Sequence, residues 1–250
     1  MDRASLIGIL LGFIAVVGGN LLEGGKIGSV LQPTAALIVF GGTLGATLLS
    51  FPFRDIGRAV VALKHIFFER LPNTDEVIAD LMHFAQTARK KGFIALEPEV
   101  LRQEDPFMRR ALRLALDGML PKVLIETLDQ ENATYEEECR RAARVYETAG
   151  GFAPTIGIIG AVLGLIHVME NLSDPAKLGS GIAVAFVATV YGVGSANLLL
   201  LPVSRKLLNR MRRDLAHRSM LVEGVVGIQT GVNPHYLEER LKAFVERRDT

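Results

Sequence analysis

The chain has 250 residues, of which 49% are hydrophobic, and its mean hydropathy is positive. That balance points to an integral membrane protein and away from a soluble helical core, whose apolar windows would be broken by polar positions at every turn. The formal net charge of +1 conceals segregation: Asp, Glu, Lys and Arg are absent from four windows, 4–22, 27–53, 148–169 and 178–204, and dense elsewhere.

The first apolar run, 4–22, is long enough to cross a hydrocarbon core, which takes about 20 helical residues. It lacks a small-x-small cleavage site and a second span follows closely, so it reads as a retained helix and not a signal peptide. Glu23-Gly24-Gly25-Lys26 is a turn too short to hold a domain. Pro33 suits the first turn of a second span, 33–53, because a proline there loses no hydrogen bond. Residues 1–53 are therefore expected to form a first transmembrane hairpin.

The segment 54–147 is far longer than an ordinary connection and reads as a helical domain. Asn73-Thr74-Asp75 is a cap signal ahead of Val77, Ile78, Leu81 and Phe84, whose spacing is helical. Pro106 and Pro121 divide the rest of the segment, and a charged helix then leads into the third span. Within this domain, ARKKGFIALEPE (88–99) sets a basic triplet, Arg89, Lys90 and Lys91, beside the acids Glu97 and Glu99. Such a stretch is either a solvated surface or a docking site for a partner of complementary charge. Cys139, the sole cysteine, excludes an intramolecular disulfide framework.

The organising stretch is 153–202, APTIGIIGAVLGLIHVMENLSDPAKLGSGIAVAFVATVYGVGSANLLLLP. Its two apolar runs, spans of about 150–170 and 179–203, are joined by a short polar break at Asn171 to Lys177, making 148–204 a second hairpin. Gly157, Gly160 and Gly164 fall on one face of the third span, and Ala185, Ala188, Gly192 and Ala196 on one face of the fourth. Small residues at these steps let membrane helices approach closely. Thr155, Thr189, Tyr191, Ser195 and Asn197 are the polar side chains of this hairpin, and none is a carboxylate. An ion path lined by these helices must take its titrating group from another polypeptide. His167 and Glu170, near the outer end of span three, fit either an ion access point or a hydrogen-bonded helix end.

Arg54, Arg58 and Lys64 follow span two, Arg140, Arg141 and Arg144 precede span three, and Arg205, Lys206, Arg210, Arg212 and Arg213 follow span four. By the positive-inside rule both termini, the 54–147 segment and the helices of 205–250 are cytoplasmic. Asn233-Pro234 opens a last amphipathic helix on Leu237, Leu241 and Phe244. The five His residues show no metal-ligand spacing, and no catalytic constellation or phosphate-binding loop occurs. The basic flanks are topology signals and not a nucleic-acid surface. The fold class is all-α: four transmembrane helices in two hairpins with a helical cytoplasmic domain.

The four-span layout and the strings PTIGIIGAVLGLIHVMENL, GIAVAFVATVYGVGSANLLLLP, ARKKGFIALE and NPHYLEERL strongly resemble the MotA and PomA family of bacterial flagellar stator proteins. A weaker likeness extends to ExbB and TolQ, energisers of outer-membrane processes with three spans, which supply the alternative function. The resemblance implies an inner-membrane homopentameric ring around two copies of a MotB-like subunit, whose Asp takes up the ion, and a cytoplasmic segment that pushes on the rotor protein FliG. It assigns rotor binding to Arg89 and Glu97, and conformational coupling to Pro154 and Pro202. The ion pathway falls to Thr189, Ala161, Thr155 and Tyr191. Ala161 stands where sodium-type members carry a second threonine, so the expected ion is H+. Neither a cofactor, a metal site nor an enzymatic activity is expected.

Overall fold

The structure is a computed structural model that describes residues 3–68, 73–173 and 175–246. Residues 1–2 and 69–72, Asp174 from the polar break of the second hairpin, and residues 247–250 lie outside the described residues. Every regular element among the described residues is helical, and the chain divides into two compact units. One combines Met1–Glu69 with Cys139–Leu208, and the other Arg70–Glu138 with Asn209–Thr250.

In the first unit, α1 (Arg3–Leu22) is followed by a single turn, α2 (Ile27–Val30), and by α3 (Pro33–Ala36), with an extended break at Leu31 and Gln32 between them. A π-helical turn, Leu37–Gly41, joins α3 to α4 (Gly42–Ser50). The helix stops at Ser50 because Pro52 forces the residue before it, Phe51, into an extended conformation (φ −133°, ψ 143°). Helix α5 (Phe53–Phe68) then starts afresh.

Two long helices contribute to both units. Helix α9 (Pro121–Glu170) runs 50 residues with Pro154 inside it. Helix α10 (Pro175–Ser195) passes through a second π-helical turn, Ala196–Leu200, into α11 (Leu201–Gln229). Four helical stretches among the described residues are long and apolar enough to cross a membrane: Ser5–Leu22, Ile27–Ser50, and one each within Pro121–Glu170 and Leu178–Gln229.

The second unit has its own core. Helix α6 (Thr74–Lys91) is capped by Asn73, whose side chain accepts from Asp75 N–H, and Gly92 at φ +87° turns the chain into a 3-10 turn, Phe93–Leu96, and α7 (Glu97–Val100). Helix α8 (Pro106–Leu116), the first part of α9, the last part of α11 and α12 (Pro234–Glu246) complete it. Leu81, Leu96, Met108, Leu112, Leu124, Leu128, Met220, Leu221, Leu237 and Leu241 are buried together.

Asp105 fixes the start of α8. Its Oδ1 accepts from the N–H groups of Phe107 and Met108 at 2.8 and 3.0 Å, and its Oδ2 lies 3.0 Å from His217 Nε2 on α11. The neighbouring Arg218 guanidinium stacks on the Phe107 and Tyr135 rings, at 4.8 and 4.0 Å from their centroids. Burial pushes the Asp105 carboxyl up, but the hydrogen bonds from His217 and the two backbone N–H groups, with the His217 charge, outweigh it and hold the carboxyl below its usual value.

The stability of this core is open to two tests. Leu81→Ala removes a fully buried side chain and is expected to cost about 2–5 kcal/mol in denaturant unfolding. Because the folded pKa of Asp105 is depressed, its carboxylate stabilises the fold above its unfolded pKa, and that contribution disappears as pH falls through the lower folded value. Asp105→Asn should therefore flatten the acid limb of the stability profile below about pH 4, and an unchanged limb would contradict this.

Candidate functional site

The paired helices of the second hairpin are held backbone to backbone. A Cβ added at Gly157 would lie 2.9 Å from Ala188 O, one at Gly164 would lie 2.7 Å from Ala185 N, and one at Gly192 would lie 2.5 Å from Ala153 O. At Gly160 the obstacle is the Ala188 methyl, at 2.7 Å. The pairs descend in order as α9 rises, so the helices are antiparallel and the small faces read from the sequence meet each other. We call this line the seam.

Its two flanks differ. Successive residues of an α-helix turn by about 100°, and in an antiparallel pair the residues just after the seam positions on both helices fall on the same side. One flank thus carries Pro154 and Ala161 from α9 with Phe186, Thr189 and Val193 from α10. The other carries Ile156, Val187 and Tyr191. The chain covers this second flank with its own second span: a Cβ at Gly42 would lie 2.9 Å from Ile156 Cγ2, and Ala35 and Val39 pack with Val187 and Ala188.

This arrangement sorts the residues expected on the ion pathway. Ala161 and Thr189 follow Gly160 and Ala188, which touch, so they share one flank at one depth, each half-buried. Thr189 Oγ1 donates to Ala185 O at 3.3 Å, leaving its lone pairs as acceptors. Thr155 sits away from the seam, is exposed, and donates to Phe152 O at 2.8 Å. Tyr191 occupies the opposite flank. Its hydroxyl donates to Val30 O at 2.7 Å and accepts from Gln32 N–H at 3.4 Å, and its ring stacks on Phe40 at 5.6 Å. The hydroxyl thereby satisfies backbone groups freed by the break between α2 and α3, which apolar surroundings would otherwise leave costly.

The two prolines occupy the cytoplasmic end of the seam. Pro154 has no N–H for the Gly150 carbonyl and crowds it, and Gly192 makes room beside it: a Cβ on Gly192 would lie 3.2 Å from Pro154 Cα. Pro202 stands in the same relation to Leu198, and the π-helical turn Ala196–Leu200 widens the helix there. Helices α9 and α11 meet between them, where a Cβ at Gly150 would come 2.8 Å from Leu201. His167 and Glu170 are exposed near the outer end of α9. In the second unit Arg89, at the end of α6, and Glu97, at the start of α7, are both exposed, whereas Glu99 is engaged by His83 at 3.0 Å.

Three features here go beyond the expectations from the sequence. The Tyr191 clamp joins residues 161 positions apart. Thr43 and Thr47 of α4 are buried, with Thr47 donating to Thr43 O at 2.7 Å. A cavity of about 310 Å³ lies between Gly8 and Ile9 of α1 and Asn197 and Leu198 of the widened turn. The proline at 202 was the available signal for that turn. Among the described residues no group of His, Cys, Asp and Glu is placed to hold a metal ion.

The seam makes a stability prediction with an internal control. Gly192→Ala or Gly164→Ala drives a methyl into backbone and is expected to cost about 1–3 kcal/mol, read as a lower unfolding temperature of the purified protein in detergent. Gly194→Ala on the same helix meets nothing within 4 Å and should leave that temperature unchanged. Equal effects at the three positions would contradict the close approach.

Residues 99–220 match the MotA/TolQ/ExbB proton channel family, and residues 6–92 match the Motility protein A N-terminal family. The chain is 34% identical to the protein YtxD of Bacillus subtilis (strain 168), over 99% of this chain and 92% of that one. It is 32% identical to Motility protein A of the same organism, over 100% of this chain and 93% of that one. The solved flagellar MotAB stator complex from Bacillus subtilis contains a chain that superposes with a TM-score of 0.92 at 31% identity, covering 99% of this chain and 98% of that chain. On full-length similarity of both sequence and structure, the chain belongs to the Motility protein A branch of the MotA/TolQ/ExbB proton channel family.

Proposed function

We propose that the chain is the ring-forming subunit of a flagellar stator, a multi-pass protein of the bacterial inner membrane with both termini in the cytoplasm, which works with a MotB-like partner to turn ion flow into torque on FliG. The observation that carries this reading is the flank holding Thr189, Ala161 and Pro154: the chain's own second span packs on the opposite flank, and no acid lies within the windows 148–169 and 178–204. A partner helix that brings one carboxyl group completes it. The match of residues 6–92 to the Motility protein A N-terminal family supports the stator over an ExbB or TolQ energiser, since that region includes the hairpin in which the two differ.

The chemistry of the flank suits a proton. With its own O–H donated to Ala185, Thr189 offers an acceptor, which a protonated carboxyl can satisfy and a carboxylate cannot. Protonation of the partner's acid then favours the Thr189 position, and release of the proton favours departure from it, so a ring of five identical subunits, the number the resemblance implies, is stepped from one register to the next. Ala161, on the same flank, adds no oxygen. A dehydrated sodium ion needs several such ligands, whereas a proton needs only a route to the carboxyl. The close approach of α9 and α11 at Gly150, between Pro154 and Pro202, supports a role for the two prolines in carrying the change toward the cytoplasm. The chain itself performs no bond-making reaction and uses no cofactor.

Thr189→Val keeps the shape and removes the acceptor, so motor torque should fall about tenfold, the scale of one lost hydrogen bond, with membrane insertion unchanged. Thr189→Ser should retain most of it. Swimming that persists without sodium and stops when the proton gradient is collapsed is expected, and strict sodium dependence would overturn the proton assignment. Charge reversal at Arg89 or Glu97 should lower rotor binding and flatten its salt dependence, because an attractive contact that salt screens is lost.

A further inference from the structure

One face of α1 meets the fourth span unevenly. Gly8, Ile9 and Gly12 follow Ser5 at helical steps that align side chains on one side. At Gly12 the two helices touch, and an added Cβ would lie 3.3 Å from Leu198 Cδ2. One turn earlier, at Gly8, an added Cβ meets nothing within 4 Å. At Ser5 the helices are joined again, by a hydrogen bond that the Lys206 ammonium donates to Ser5 Oγ. The gap between these two contacts is the cavity of about 310 Å³.

The gap has a backbone cause. The π-helical turn Ala196–Leu200, just ahead of Pro202, widens the fourth span, and the glycine at position 8 supplies no side chain to fill the space beside it. Ile9, Leu199, Pro202 and Val203 wall the cavity with apolar atoms, and Gly8 and Pro202 are exposed, so it opens to the surface of the unit. Asn197 also lines it, but its Nδ2 donates to Val193 O of its own helix at 3.0 Å. Such a lining offers water few partners and suits hydrocarbon. The charged residue of the lining is Lys206, two positions beyond the charge-free window 178–204 and hence at the cytoplasmic surface of the membrane. From Gly12 to Ser5 the cavity runs about 10 Å along α1, at roughly 1.5 Å per residue. Its depth is apolar and its rim carries an ammonium.

We propose that this cavity binds one anionic phospholipid of the cytoplasmic leaflet, with an acyl chain between α1 and the widened turn and the headgroup phosphate on Lys206. This goes beyond the stator reading and needs only the membrane topology. A phospholipid carries hydrocarbon and phosphate in the same order, from the membrane interior outward, as the apolar walls and the ammonium. Lysine is a compact point charge with three donors, so it meets a phosphate oxygen without a fixed geometry. A phosphatidylcholine headgroup brings its own cation, which the ammonium repels, whereas phosphatidylglycerol brings none. Basic sites between spans on the cytoplasmic side hold anionic headgroups on this principle. The bound chain fills the space beside Pro202, so α1 is held to the fourth span through lipid as well as through Gly12 and Ser5.

The test uses the complete complex with its MotB-like subunit, purified in neutral detergent and given equal amounts of phosphatidylglycerol and phosphatidylcholine, with retained lipid read by native mass spectrometry. The parent should retain phosphatidylglycerol about fivefold over phosphatidylcholine, the scale of one lysine at a membrane surface. Lys206→Gln should abolish that preference and Lys206→Arg should keep it. Arg205→Gln, an equal change of charge at an exposed neighbour outside the cavity, should also keep it. Gly8→Leu fills the space and should lower retention of both lipids about tenfold, with the unfolding temperature in lipid-free detergent no lower than the parent's. Equal retention of the two lipids by the parent, or equal effects of Lys206→Gln and Arg205→Gln, would overturn the assignment, as would unchanged retention in Gly8→Leu. Loss of ring assembly in Gly8→Leu would assign the gap to a neighbouring copy of this chain and overturn it too. The two Lys206 variants decide the headgroup contact should Gly8→Leu fail to fold, and none of these readings depends on torque.

Discussion

Everything distinctive about the membrane unit depends on two helices touching through their backbones. Gly157, Gly160 and Gly164 on α9 and Gly192 on α10 leave no room for a methyl group at their contacts. In a lipid environment apolar side chains gain little by choosing each other over acyl chains, so close packing of small residues is what holds such a pair. The seam fixes register at single-residue resolution. That register in turn decides that Thr189 and Ala161 share one flank while Tyr191 takes the other.

The two flanks have different polar tasks. Tyr191 is used inward: its hydroxyl accounts for the carbonyl of Val30 and the N–H of Gln32, where the second span is broken, and its ring lies against Phe40. Thr189 is used outward, with its proton given to its own helix and its acceptor left on the opposite flank. A chain that lines a passage without supplying a titrating group keeps the cost of a buried charge out of its own fold. That cost is met only when the partner's span is in place.

Much of this was legible in the sequence because it comes from spacing. The small-residue faces at 157, 160 and 164 and at 185, 188 and 192 follow from helical periodicity, the caps at Asn73 and Asn233 from residue type, and the four windows from the absence of charge. The residues expected on the ion pathway were less evenly readable. Thr155 and Thr189 look alike as threonines in apolar runs, and only the antiparallel register separates the one at the seam's edge from the one facing away. Tyr191 is hidden for a different reason, since its partners belong to a helix break 161 residues away that no local pattern announces. In the second unit the hydrogen bond of Asp105 with His217 and the stacking of Arg218 on Phe107 and Tyr135 are likewise long-range, and the pattern of either helix alone does not imply them.

In the proposed stator the walls of the passage and its proton acceptor belong to different polypeptides. Proton flux into liposomes measures this directly, with the purified chain reconstituted first alone and then together with its MotB-like subunit. Flux is predicted only in the second case, and only while the partner's membrane carboxyl is intact. A sustained, selective proton current through the chain by itself would contradict it.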